Sequence, residues 1–428
     1  MLAAGTSEEA IKMIYEITAR KGEPGLGRMK RILELLGSPE KDFKVIHVTG
    51  TNGKGSTCEF ISEILKNSGY SVSVYTSPHL LAYNERFESN NRFISDKEFT
   101  SYANAVFGII GKLVDEGCGL PSQFDILTAI AYLFFKDQNT DFVILEVGLG
   151  GRIDSTNTIE KPLASVITEV GIDHTAELGS DISNIAYEKA GIIKEGVPVI
   201  SGVTLEDAKQ VIAEEAVKKN ALLTDVSQND EHLSVLKMKG EHQIRNARVA
   251  KAVIEALRKS KALHTNDAII DLSLSKARKP GRFEVLTRDP VLIIDAAHNS
   301  SGIRSALETF DTEYADEIKQ DDSLALVTGF MSDKTFSDMI DLISDYFRRY
   351  NNLKIIATEP ESERALRAER LKKEFSMRGI SSVVIEDNQE AYDFALGLKC
   401  EYTLCMGSIY LIGNIKKYYN KKGWWKKC

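Results

Sequence analysis

The residues Gly50-Thr51-Asn52-Gly53-Lys54-Gly55-Ser56 carry the most specific chemistry in the sequence. They follow a β-branched apolar run and open an amphipathic one. In that setting backbone N–H groups turn inward on an anion, and the helix N-terminus adds positive potential. Lys54 is placed to reach the outer phosphates of a nucleotide. The hydroxyl of Ser56 or Thr57 would meet phosphate or help with magnesium. The spacing departs from the standard Walker pattern, with Val48 at its first Gly and Gly55 where Ser or Thr follows the Lys. Taken alone, the loop supports nucleotide binding and nothing more specific.

The elements that must hold this loop are legible from hydrophobic periodicity. Lys44 to Val48 reads as a buried strand and Ser56 to Asn67 as the helix after it. Ser71 to Tyr75, Asp141 to Val147 and Ala164 to Thr168 read as further strands, with a helix from Ser122 to Lys136. Continuous apolar strands of this kind suit a parallel sheet covered on both faces. From Leu272 to Phe283 the texture turns polar and basic with a Pro-Gly pair, which reads as a linker. Alternation then restarts, with strands at Val291 to Ile294, Leu324 to Thr328, Leu353 to Ala357 and Ser382 to Ile385. Helices are expected near Ser301 to Phe310, Phe336 to Arg348 and Glu363 to Phe375. The expected fold class is α/β: a P-loop NTPase-like parallel-sheet domain over 1–279 and a smaller Rossmann-like α/β domain over 280–428.

Bulk properties narrow the class. A chain of 428 residues is long for one core. The net charge of −8 argues against a nucleic-acid partner, which needs clustered cations. Met1 to Glu9 lacks the basic and apolar regions of a signal peptide, and no apolar run is long enough to span a membrane. Cys58, Cys118, Cys400, Cys405 and Cys428 are scattered, as expected of reduced thiols in a cytoplasmic protein. The basic tail with Trp424 and Trp425 reads as a solvated helix end whose Trp pair packs on the domain.

At His47-Val48-Thr49-Gly50 to Ser56 the sequence resembles folylpolyglutamate synthases, a branch of the Mur ligase superfamily. Matching segments run in order along nearly the whole chain. They include Gly25 to Arg28, Thr76-Ser77-Pro78-His79-Leu80, Phe124 to Ala129, Glu146 to Asn157 and Gly171-Ile172-Asp173-His174. Glu188-Lys189-Ala190-Gly191, Gly240 to Gln243, Pro280 to Glu284, Asp295-Ala296-Ala297-His298-Asn299 and Gly407-Ser408 follow. Ala296, where the family often has Gly, and Thr335, where it often has Asp, depart from the pattern.

The resemblance implies roles residue by residue. Gly50, Thr51, Asn52, Gly53, Lys54, Gly55 and Ser56 bind ATP with Asn246, Arg282, Asp295 and His298. Ser77, Glu146 and His174 hold magnesium. Lys189 is carbamylated, turning a cation into an anionic oxygen ligand. Phe124, Gly151 and Asp154 bind folate, and Ser408 the incoming glutamate. Lys189, Asp295 and His298 are the expected catalytic residues, and the C-terminal domain is expected to close on the nucleotide. ATP would phosphorylate a carboxylate, and the amine of L-glutamate would displace the phosphate. The acceptor would be a reduced folate extended at its γ-carboxyl, the partners small molecules only, and the protein a cytoplasmic monomer. Alternatives are added activity on dihydropteroate, a Mur-type cell-wall ligase, a nucleotide switch and an inactive folate-binding homologue.

Overall fold

The computed structural model describes residues 3–18, 25–229, 233, 235–314, 316–318, 322–334 and 336–422. Trp424, Trp425, Cys428 and Thr335 lie outside the described residues. The chain divides into two compact units. The first comprises Met1–Gly171, Leu178–Val235 and Arg245–Ala277. The second comprises Arg278–Cys428 together with two short earlier segments, Ile172–Glu177 and Leu236–Ile244. A single boundary at 279/280 does not carry those two segments.

The first unit is built on eight strands: β1 (Val45–Thr49), β2 (Val72–Tyr75), β3 (Phe87–Ser89), β4 (Arg92–Phe93), β5 (Phe142–Glu146), β6 (Ala164–Ile167), β7 (Val199–Ser201) and β8 (Leu223–Asp225). Their order is β4-β3-β2-β5-β1-β6-β7-β8. All neighbours are parallel except the β2–β3 and β3–β4 pairs. β1, β2, β5 and β6 are buried at every position, as strands covered on both faces must be. On one face the helix Gln123–Gln138 packs Ile126, Ile130 and Phe134 into a core with Phe99 and Phe107. Farther along the sheet on that same face, Ile185, Ala186 and Ile212 pack with Val199 and Ile167. Ser122 caps the first of these helices through Asp125, whose carboxylate returns the bond to Ser122 N. The sheet puts β1 between β5 and β6, so the loop after β1 leaves the sheet where its connections diverge.

The second unit has six strands: β9 (Glu284–Arg288), β10 (Val291–Ile294), β11 (Ser323–Thr328), β12 (Asn352–Ala357), β13 (Ser382–Val384) and β14 (Tyr402–Met406). Their order is β13-β12-β11-β14-β10-β9, parallel but for β9 on β10. Ile293, Leu326, Phe330, Ile340, Ile343, Phe375 and Leu404 form its core.

Two expectations change. Ser273 to Lys276 is not linker but the end of the helix Asp267–Lys276. Asn266 caps that helix on Ile269 N, and Ile270 and Leu274 are buried, so a polar surface face hid an anchored helix. The helix expected from Glu363 begins at Ala368, because the Glu359 carboxylate accepts from Ala368 N while Ala365 N closes a turn on Ser362 O. Among the described residues no helix is long and apolar enough to cross a membrane.

Candidate active site

The loop after β1 is fixed from its own strand layer. Thr51 N donates to Glu169 O at 2.7 Å. The Thr51 hydroxyl donates to Gly171 O and accepts from Gly171 N, both at 3.0 Å. Thr168, just past β6, donates its hydroxyl to Asn52 O at 2.6 Å. Gly50 and Gly53 lie at positive φ, +156° and +83°. A Cβ on Gly50 would collide with Thr168 Oγ1, and one on Gly53 with Asn246 Oδ1. Glycine is required at both positions by space as well as by torsion. The N–H and hydroxyl of Thr51 are therefore committed to the fold, and the phosphate donors must come from the residues after it.

Those residues fit a nucleotide phosphate chain. Gly53 N-caps the helix Lys54–Asn67 with no side-chain cap. The first-turn N–H groups there are the dipole end that favours an anion. Lys54 Nζ folds back on Gly50 O at 3.0 Å and Thr51 O at 3.2 Å, at the mouth of the loop. Thr57 is fully buried, and its Oγ1 has no hydrogen-bond partner. A buried hydroxyl is rarely left so unless something else satisfies it. Asn246 is buried against Gly53, so its side chain braces the loop.

The ends of β2 and β5 bring Ser77 and Glu146 together, with Ser77 N donating to Glu146 Oε2 at 3.3 Å. A buried carboxylate beside a hydroxyl is a hard-oxygen set that suits magnesium. Among the described residues no group of three or more His, Cys, Asp or Glu is placed to hold a metal ion. The expected set counts only two such residues.

The loop from Gly148 to Asn157 is organised by Asp154. Its Oδ2 accepts from Gly148 N and Leu149 N, both at 3.0 Å, and its Oδ1 from Thr156 N at 2.9 Å and from the Thr156 hydroxyl. Burial pushes this carboxyl up, against the hydrogen bonds that favour the ion. With both oxygens engaged, Asp154 shapes the loop rather than presenting a free acceptor. Phe124 stacks on Tyr75 at 5.7 Å, and its ring would lie 2.6 Å from a Cβ on Gly148. A Cβ on Gly151 would fall 2.9 Å from Glu188 O and Lys189 O. Arg152 N donates to Glu188 O at 2.8 Å. The loop therefore lies directly on the end of the helix Ile182–Ala190, where Lys189 is buried.

In the second unit Asp295 directly follows β10, its oxygens accepting from Phe283 N and Ala297 N at 2.7 Å each. Burial raises this carboxyl and the Arg282 charge opposes it. His298 Nδ1 bonds Ala296 O at 2.8 Å, which fixes the proton on Nδ1 and leaves Nε2 as an acceptor. Burial, then the Lys334 charge, lower the His298 pKa to about 4, so the ring is neutral near pH 7. Asp173 pairs with Lys334, accepts from Asn299 Nδ2 at 3.0 Å and lies 3.8 Å from His298 Nε2. Burial opposes the Asp173 charge, but the basic groups around it, His298 and Lys334 first, outweigh it. The carboxyl is held well below the usual range. His174 follows at φ +51°, in the short segment that clusters with this unit. Ser408 is buried, its Oγ capping the helix Ile409–Lys421 on Tyr410 N at 3.2 Å.

Sequence reasoning passed over Thr168, Asp173, Asn299 and Lys334. Asp173 and Asn299 lie inside recognised motifs, beside the residues that took the attention. Nothing local marks Thr168, whose partner is more than a hundred residues away.

Family models match residues 48–256 as a Mur ligase middle domain and 281–409 as a Mur ligase glutamate ligase domain. The chain is 39% identical over 341 residues to the dihydrofolate synthase/folylpolyglutamate synthase of Bacillus subtilis, covering 74% of this chain and 78% of the relative. Among solved structures, E. coli FolC in complex with DHPP and ADP matches with a TM-score of 0.84 at 27% identity, covering 99% of each chain. A bifunctional folylpolyglutamate synthase/dihydrofolate synthase of Yersinia pestis, complexed with AMPPNP and Mn ion, matches at 0.82 and 27%, over 98% of this chain and 99% of that one.

Proposed function

The chain belongs to the dihydrofolate synthase/folylpolyglutamate synthase family of Mur ligases, and on that premise we propose that it joins L-glutamate to the γ-carboxyl of a reduced folate. It is an ATP-dependent ligase that works with a divalent metal. The observation that carries the reading is the pairing of a rigid phosphate loop with a ring-sized aromatic platform at Phe124, in one unit and at neighbouring strand ends.

The γ-carboxylate attacks the terminal phosphorus of ATP, forming an acyl phosphate and releasing ADP. The amine of L-glutamate then attacks the acyl carbon. The C–O bond to phosphate breaks, the amine loses its proton and an amide remains. Lys54 and the N–H groups after Gly53 hold and neutralise the phosphates, so charge moves among fixed dipoles. Ser77 and Glu146 supply oxygens for magnesium, which offsets phosphate charge when bound. The magnesium role of His174 rests on its motif alone. The buried Lys189 is assigned as the carbamylated lysine. In the second unit Arg282, Asp295 and His298 are assigned to the nucleotide, and the neutral Nε2 of His298 offers an acceptor. Phe124 and the Asp154-braced loop take the ring system.

A phosphate-release assay with ATP and magnesium tests the reading. Tetrahydrofolate plus L-glutamate should stimulate release. No stimulation by any folate or pteroate would overturn it. Stimulation by dihydropteroate would extend the activity to the dihydrofolate synthase also named for the Bacillus subtilis relative. Mass spectrometry in bicarbonate should find Lys189 heavier by one carbon dioxide. A free amine there, with an active enzyme, would refute the carbamate.

A further inference from the structure

In the first unit Arg28, Arg31, Arg92 and Arg258 each face a carboxylate, at 2.8, 2.7, 2.8 and 2.6 Å. Arg86 is half-buried and, among the described residues, faces none. Its Nε donates to His79 Nδ1 at 3.0 Å, and its guanidinium lies over the Tyr83 ring, 5.1 Å from the centroid. Both contacts orient the guanidinium without neutralising it. A partly desolvated cation held this way is costly unless an anion completes it. Its remaining N–H groups form the flat fork that matches a carboxylate.

The surroundings indicate which carboxylate. Tyr83 OH accepts from Gln123 Nε2 at 2.7 Å, which ties the Arg86–Tyr83 pair to the residue before Phe124. On the other side Arg86 O accepts from Thr76 N at 3.1 Å, the residue before Ser77. Arg86 is thus linked through Tyr83 to the residue before the ring platform, and through its own main chain to the strand end that carries Ser77. A glutamyl tail running from ring to metal passes it. That tail carries two carboxylates, and only the γ one reacts.

We propose that Arg86, oriented by His79 and Tyr83, binds the α-carboxylate of the acceptor's glutamyl residue and so leaves only the γ-carboxylate free for activation. The assignment rests on the folate-acceptor reading above. Charge-assisted bidentate bonds of this kind change affinity by about tenfold or more.

The test is a kinetic cycle on the full-length enzyme with magnesium and saturating L-glutamate. The two acceptors are tetrahydrofolate monoglutamate and its α-carboxamide analogue. For the wild type the carboxamide should raise the acceptor KM about tenfold. Arg86→Gln should raise KM for the parent by a similar factor and abolish the preference. The KM for ATP should stay constant, and kcat should stay within about threefold. Arg86→Lys should fall between, and it decides the question if Arg86→Gln does not fold. A variant that keeps the wild-type preference, or raises both KM values together, overturns the assignment. A wild type with no turnover on tetrahydrofolate sinks the acceptor reading itself, and this one with it.

Discussion

The phosphate loop of the first unit is held by main-chain geometry and neutral groups, whereas the Asp173 cluster of the second is held by buried ions. In the loop, Thr168 and Thr51 donate to carbonyls, and Asn246 fills the space that a side chain at position 53 would need. In the cluster, Asp173 gathers Lys334, Asn299 and the His298 ring. Neutral bonds to the main chain set a shape at small cost for each. Buried ions set one at the risk of a large penalty if either partner is lost. A surface that must admit a polyphosphate cannot commit its cation to an internal anion, so Lys54 rests on neutral carbonyls and the loop is shaped by dipoles. The cluster has no such restriction.

The largest effect should come from removing the one cation the loop carries. Lys54→Ala should lower turnover at least about a hundredfold while the denaturation midpoint stays put. Full turnover in a phosphate-release assay would mean that phosphate binds elsewhere. In the cluster, Lys334→Met leaves Asp173 buried and unpaired, and should cost about 3 kcal/mol in chemical denaturation. Adding Asp173→Asn should restore most of that. If the double variant is no more stable than the single one, the ion pair is not what holds the segment.

Acid should separate the regions next. Burial, then the Lys194 charge, hold the His47 pKa near 3, and His298 lies near 4. Both folded values are lower than the unfolded one of about 6.5, so in that window the unfolded chain binds more protons. Stability should fall as pH drops through about 6.5 and level off only near the folded values. His47→Gln should flatten that decline by about 3 kcal/mol, read from denaturation curves across pH. An unchanged slope would clear His47. Gly53→Ala should cost about 2 kcal/mol and raise the KM for ATP, since φ is +83° and Asn246 blocks the space. The smallest change is Thr168→Val, about 1 kcal/mol and a few-fold rise in KM for ATP, with Thr168→Ser restoring both. An ATP KM unmoved by either substitution would mean that the loop does not depend on these props.

Much of this was legible in the sequence, and the parts that were not share a cause. The strands at Val45, Phe142, Ala164 and Val291 announce themselves because buried parallel strands are continuous apolar runs. The short strands β3, β4, β7 and β8 carry too few residues to establish a period. The helix Asp267–Lys276 passed for a linker because its polar face dominates its composition. At the site, Gly50 and Lys54 stood out by type and spacing. Thr51, Asp154 and Ser408 also stood out, yet their polar atoms turn out to serve the loop or the helix cap around them. Residue type says that a group is able to bond. Only the fold says what it bonds to.

The segment Ile172–Glu177 belongs to a unit whose remaining parts come later in the chain. Asp173 precedes Asn299 by 126 residues and Lys334 by 161. At roughly 5 to 20 residues per second, a growing chain exposes Asp173 for roughly 6 to 30 s before those partners exist. During that interval its neighbours on either side can join the first sheet while the segment itself waits. An ionised carboxylate tolerates water through such a delay, whereas an apolar anchor there would invite wrong pairing. A residue chosen for the finished molecule thus also suits the unfinished one on the ribosome.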